Sequence, residues 1–167
     1  IFTGYMPLYF NIIEGLSPAW GNTIVAAWIG IGVLAGALTG RIVGMFGGEA
    51  RTLRIMFLVE TALFAIAVVS LHGILPYLAG SLIRFVTLAL TGIPMFVAFP
   101  AVNGLLGMKM PRRRLGLMYA ANLSLGLLVG AACTYLVGYL AAIGTISVVL
   151  PVLLAITILG ILASLKT

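Results

Sequence analysis

The chain reads as an all-α polytopic membrane protein of six transmembrane helices, the first one partial. Three observations carry that reading. Of 167 residues, 63% are hydrophobic and 7% charged, against about 45–50% and about 25% in a soluble domain. The apolar residues come in runs near the roughly 20-residue length that crosses a bilayer. Seven of the nine lysines and arginines fall in two short segments, 41–54 and 109–114, as they do in the cytoplasmic loops of multi-span proteins.

Taken in order, residues 1–13 form part of a first span, kinked by Pro7 and closed by Glu14-Gly15 and the Ser17-Pro18 turn. Proline is tolerated in a membrane helix whose neighbours satisfy the backbone. The second span covers 20–46, with Trp20 as its interfacial anchor. Gly32, Gly36, Gly40 and Gly44 recur every fourth residue along it, a stripe that lets another helix backbone approach closely. Gly47-Gly48 ends this span, and Arg41, Arg51 and Arg54 crowd the turn.

The third span covers 53–71 and turns at His72-Gly73. The fourth covers 76–106 and is expected to break up at Gly92, Pro94 and Pro100. Lys109, Pro111 and Arg112-Arg113-Arg114 make the second basic loop, an orientation signal and a contact for phospholipid headgroups. The fifth span covers 115–142, with Gly116, Gly126, Gly130 and Gly138 as close-contact points. After Gly144-Thr145 the sixth covers 146–165. Alternation puts both basic loops and Lys166 on one side, the cytoplasmic one by charge bias. Glu14, His72 and Gly144 fall on the other.

The net charge of +6 suggests nucleic acid, but the cations sit in loops between apolar spans and form no groove. Cys133 lies in an apolar run and reads as a small buried thiol. The chain has no Asp, one His and one Cys. That leaves no paired-Asp site and no metal cage, and no hydrolase elbow or zinc-protease motif occurs. An intramembrane enzyme is therefore disfavoured, and no cofactor is expected.

At Gly40-Arg41-Ile42-Val43-Gly44-Met45-Phe46-Gly47-Gly48-Glu49-Ala50-Arg51 the sequence resembles the loop signature of the major facilitator superfamily. Gly40, Gly47 after an aromatic, and the trailing Arg51 match; the family's acid and base positions hold Gly44 and Met45. Two further stretches are similar. Tyr5-Met6-Pro7-Leu8-Tyr9 with Gly15-Leu16-Ser17-Pro18-Ala19 looks like the first helix and outer turn of a half. Pro111 to Leu117 followed by Asn122-Leu123-Ser124-Leu125-Gly126 looks like the loop into the fifth helix. The resemblance implies that residues 1–167 are a single six-helix half of a twelve-helix carrier, the C-terminal one, since the signature is blunted. Its partner would be the missing N-terminal half of the same protein, in a bacterial inner membrane, with a small-molecule substrate held between the halves. An opening at Ile1 inside an apolar segment fits a fragment. In the family the first, second, fourth and fifth helices of a half face the cavity.

Candidate site residues follow. Arg84 and Glu60 are the ionisable residues well inside spans, where a charge costs at least about 2.5–3.5 kcal/mol without a partner. They lie roughly 10 and 16 Å deep at 1.5 Å per residue, so a pair between adjacent helices is expected. As a clamp that pair is structural. As a site, Arg84 holds an anionic group and Glu60 titrates in a proton-coupled cycle. Cavity candidates are Tyr5, Tyr9 and Asn11 on the first span, Trp28 on the second, and Thr87, Thr91 and Phe96 on the fourth. On the fifth they are Tyr119, Asn122 and Ser124. An amphipathic or anionic solute is expected. A helical scaffold that transports nothing is the alternative.

Overall fold

The structure, a computed structural model, describes residues 2–70, 77–143 and 148–164. His72, Gly144, Thr145 and Lys166 lie outside the described residues, as does the side chain of Tyr5. The architecture is all-helical. In chain order the elements are α1 (Phe2–Glu14), α2 (Pro18–Ala37), α3 (Thr39–Phe46), α4 (Glu49–Val69), α5 (Tyr77–Leu90), α6 (Gly92–Lys109), α7 (Leu115–Ala142) and α8 (Val149–Ser164). A 3₁₀ turn, Arg112–Arg114, leads into α7. Four stretches are long and apolar enough to cross a membrane: Pro18–Ala37, Glu49–Val69, Gly80–Lys109 and Arg112–Leu140. The chain is thus of the multi-pass membrane class, with large apolar side chains such as Leu34, Leu82 and Leu127 turned outward.

Local chemistry sets the boundaries. Gly15 (φ +62°) reverses the chain after α1, and Asn11 Nδ2 donates to the Leu16 carbonyl at 3.0 Å to close that end. Pro18 then opens α2, where its missing N–H costs nothing. Gly47 and Gly48, at φ +79° and +118°, make the reversal between α3 and α4, a backbone course that side chains with a Cβ resist.

Three expected boundaries are corrected. The second span is two helices, interrupted at Leu38 (φ −92°, ψ 2°). The third begins at Glu49, so Glu49, Arg51 and Arg54 belong to the first turns of α4 and not to a loop. An acid there suits the helix dipole. The fourth span is disturbed only at Thr91, where the α-helical ladder still runs through Thr91 N to Thr87 O and Met95 N to Thr91 O. Pro94 cannot donate to the Leu90 carbonyl, which loosens the ladder at Thr91 without breaking the span, and α6 likewise continues past Pro100 to Lys109.

The helix α2 packs on α1 and α6, while α4 packs on α6 and α8 with α5 alongside. The core joins Tyr9, Phe10, Ile24, Trp28, Phe64 and Leu88, among others. Glycine permits the closest approaches. A Cβ on Gly21 would stand at the Pro7 Cα, and one on Gly92 at the Trp28 carbonyl oxygen, both closer than real Cβ atoms come. The expected stripe on the second span divides. Gly32 and Gly36 lie under Phe96 of α6, whereas a Cβ on Gly40 or Gly44 would meet nothing within 4 Å. The same is true of Gly116, Gly126 and Gly130 on α7. Close packing among the described residues is therefore corrected for Gly40, Gly44, Gly116, Gly126 and Gly130.

The division has a measurable consequence. Gly92→Val overpacks α2 against α6 and is expected to cost about 1–3 kcal/mol. Gly40→Ala and Gly44→Ala are expected within about 0.5 kcal/mol of the parent or more stable, since alanine favours a helix. Denaturation midpoints in detergent compare the three.

Candidate functional site

Two polar arrangements stand out. The first is buried at the end where α1, α4 and α5 meet. Arg84 Nε donates to Glu14 Oε1 at 2.5 Å, and Ser81 Oγ donates to Glu14 Oε2 at 2.5 Å. Arg84 Nη1 donates to the Ser70 carbonyl at 2.6 Å, and Nη2 to Ser81 Oγ at 3.3 Å. Glu14 is 3% exposed and Arg84 5%. The Ser70 carbonyl belongs to the last turn of α4, where a cation is favoured.

The expected Arg84–Glu60 pair is corrected: Arg84 pairs with Glu14. Side chains on a helix tilt toward its N-terminus. Here α5 begins at the Ser70 end, and Arg84 folds back over Gly80, whose Cβ would lie 3.3 Å from Nη1. The other helix, α4, runs the opposite way, so Glu60 tilts away from that end. Ten residues of α4 separate Glu60 from Ser70, about 15 Å of rise. Glu60 is half-buried on the face that carries Leu53, Met56, Phe64 and Ala67, and has no ion pair among the described residues.

Several candidates sit away from any cleft. Tyr9 is fully buried in the core, edge-on to Phe10, and its hydroxyl has no hydrogen-bond partner among the described residues. Asn11 serves the turn after α1. The hydroxyls of Thr87 and Thr91 donate to Ile83 and Leu88 carbonyls of their own segment at 2.7 Å each. Ser124 lies on the exposed side of α7.

The second arrangement is an open cleft across α2, α6 and α7. A groove of about 420 Å³ lies between α2 and α6, lined by Trp28, Val33, Met95, Phe96, Phe99 and Pro100. Trp28 and Phe96 meet edge to face with ring centres 5.3 Å apart. Phe99 also borders a neighbouring pocket of about 320 Å³ with Asn103, Tyr119, Asn122 and Leu123. There Asn122 Nδ2 donates to Asn103 Oδ1 at 3.3 Å, and the Tyr119 hydroxyl to the Asn103 carbonyl at 3.3 Å. The structure thus gathers four expected residues, Trp28, Phe96, Tyr119 and Asn122. It adds Asn103 and Phe99, which sequence reasoning passed over. An amide inside a proline-interrupted apolar span was the available signal for Asn103.

The signature segment forms the opposite, basic end. Gly47 to Arg51 and Arg54 line a pocket of about 380 Å³ with Leu105 and Met108 of α6. The Glu49 carboxylate lies beside Gly104, whose Cβ would be 3.2 Å from Oε1. Arg41 and Arg51 are exposed. No family model matches this chain, and neither a curated protein nor a solved structure matches it.

Removing one member of a buried ion pair costs about 3–5 kcal/mol, while an apolar replacement of both restores much of it. Arg84→Met or Glu14→Leu alone should therefore destabilise strongly, and the double variant much less. A cycle of Arg84→Met with Glu60→Gln should couple by under about 0.5 kcal/mol. Unfolding in mixed micelles reads both cycles, and stronger coupling to Glu60 would contradict the geometry.

Proposed function

We propose that this chain is the C-terminal six-helix half of a major-facilitator-type carrier that moves a small solute by alternating access. The observation that carries the reading is the cleft on the second, fourth and fifth spans. These are cavity-facing spans of a half in the family that the sequence resembles. Trp28, Phe96, Tyr119 and Asn122 line it together. A Cβ on Gly40 or Gly44, or on Gly116, Gly126 or Gly130 of α7, would meet nothing within 4 Å among the described residues. On this reading the N-terminal half and lipid cover them.

The basic turns are cytoplasmic in the proposed orientation, in a bacterial inner membrane. The Glu14–Arg84 pair then fastens the periplasmic end of this half. Glu60 is the proposed proton-coupling acid, since it is half-buried at mid-span and lacks an ion pair among the described residues. The scaffold alternative draws on the same open glycines of α7, which suit helix association.

Two measurements test the proposal. In a Cys133→Ser background, Ser17→Cys should label from outside intact cells and Arg113→Cys only after permeabilisation. The full-length protein in proteoliposomes should take up at least one member of a panel of aromatic solutes saturably. Trp28→Ala should lower that uptake tenfold or more. Labelling of Arg113→Cys from outside, or no uptake of any solute, overturns the carrier reading.

A further inference from the structure

The two pockets of the cleft differ in chemistry, and they are neighbours that share Phe99 as a wall. The larger is walled by apolar and aromatic side chains alone, with Phe99, Met95 and Val33 each at least half exposed along it. The smaller holds two amides and a phenol. Phe96 and Asn103 are seven residues apart on α6, so the aromatic and amide ends are separated by roughly 10 Å. The amide end lies nearer the basic turns.

The hydrogen-bond inventory of the smaller pocket is unspent. Asn122 Nδ2 satisfies Asn103 Oδ1, and the Tyr119 hydroxyl satisfies the Asn103 backbone carbonyl. Among the described residues this leaves the Asn103 Nδ2 donors, the Asn122 Oδ1 acceptor and the Tyr119 oxygen. Polar atoms facing an apolar medium gain by finding partners, and a ligand that both donates and accepts supplies them. No ionisable side chain other than the Tyr119 phenol lines either pocket. Arg84, the cation expected to hold an anion, is committed to Glu14 and buried away from the cleft.

We propose that the cleft binds an uncharged amphipathic molecule. Its flat apolar body lies against Trp28, Phe96 and Phe99, and one hydroxyl-, amine- or amide-type group engages Asn103 and Asn122. This rests on the carrier reading for its physiological use, though binding itself does not need a transport cycle. An anionic solute is excluded from this cleft because a desolvated anion would meet no cation there.

Two fluorescent probes with the same aromatic body test the claim. N-phenyl-1-naphthylamine is neutral with one N–H, and 1-anilinonaphthalene-8-sulfonate adds a sulfonate. In the full chain in lipid vesicles carrying Trp20→Phe, Trp28 is the one tryptophan left in residues 1–167 and serves as the donor for energy transfer. The neutral probe should give saturable transfer. Asn122→Leu should weaken it about three- to tenfold, as expected for one lost neutral hydrogen bond. The sulfonate should bind at least tenfold more weakly than the neutral probe in the parent. The proposal is overturned by transfer that only rises linearly with probe, by a sulfonate that binds as tightly as the amine, or by an Asn122→Leu protein that binds unchanged. Neutral binding without uptake in proteoliposomes would sink the carrier reading and leave this one standing. Uptake alongside equal binding of the sulfonate would do the reverse.

Discussion

A guanidinium inside an apolar helix bundle must find an anion and acceptors for its remaining N–H groups. Arg84 finds all of them at the end of the bundle where α1 and α4 finish and α5 begins. Glu14 supplies the charge, Ser70 a helix-terminal carbonyl, and Ser81 a hydroxyl that ties both partners. One side chain thereby links three helices. The pair's net contribution to stability is modest, because desolvation offsets its attraction. Its geometric effect is larger, since any rearrangement that parts α1 from α5 strands a buried charge.

Close backbone contacts continue from that fastened end toward mid-bundle. Gly21 brings α2 onto α1, and Gly92 brings α6 onto α2. In lipid there is little hydrophobic gain from pressing apolar helices together, so packing at small residues has to supply the attraction. Further along the same stripe, a Cβ on Gly40 or Gly44 would meet nothing within 4 Å, and the cleft lies alongside between α2, α6 and α7. On the carrier reading, the end held by Arg84 is fixed and the surface around Gly40 and Gly44 is left to meet another body. That is the asymmetry the proposed alternating-access cycle uses.

Helix direction decides which polar residues can meet. Arg84 and Glu60 are close in estimated depth at the level of Cα atoms, yet their side chains tilt toward opposite ends because α4 and α5 are antiparallel. The same rule puts Arg84 within reach of a residue that ends α1, which a count along the sequence assigns to a turn outside the span. Thr87 and Thr91 show a related limit. Their hydroxyls are polar and lie in the span, but the preceding carbonyls of their own segment are nearer than any cavity.

By itself the sequence determined the helical class, the long apolar helices and the two basic segments. Those properties follow from apolar run length, charge position and the Gly47-Gly48 reversal, all of which are local along the chain. It also held Trp28, Phe96, Tyr119 and Asn122 as candidates, because aromatic and amide groups are conspicuous against an apolar background. Only the tertiary structure decided that Arg84 belongs to Glu14, that Asn103 completes the amide pair, and that the glycine stripe divides at Gly36. Each of these depends on which faces of different helices are turned toward one another, and spacing within one helix does not encode the rotation of its neighbour.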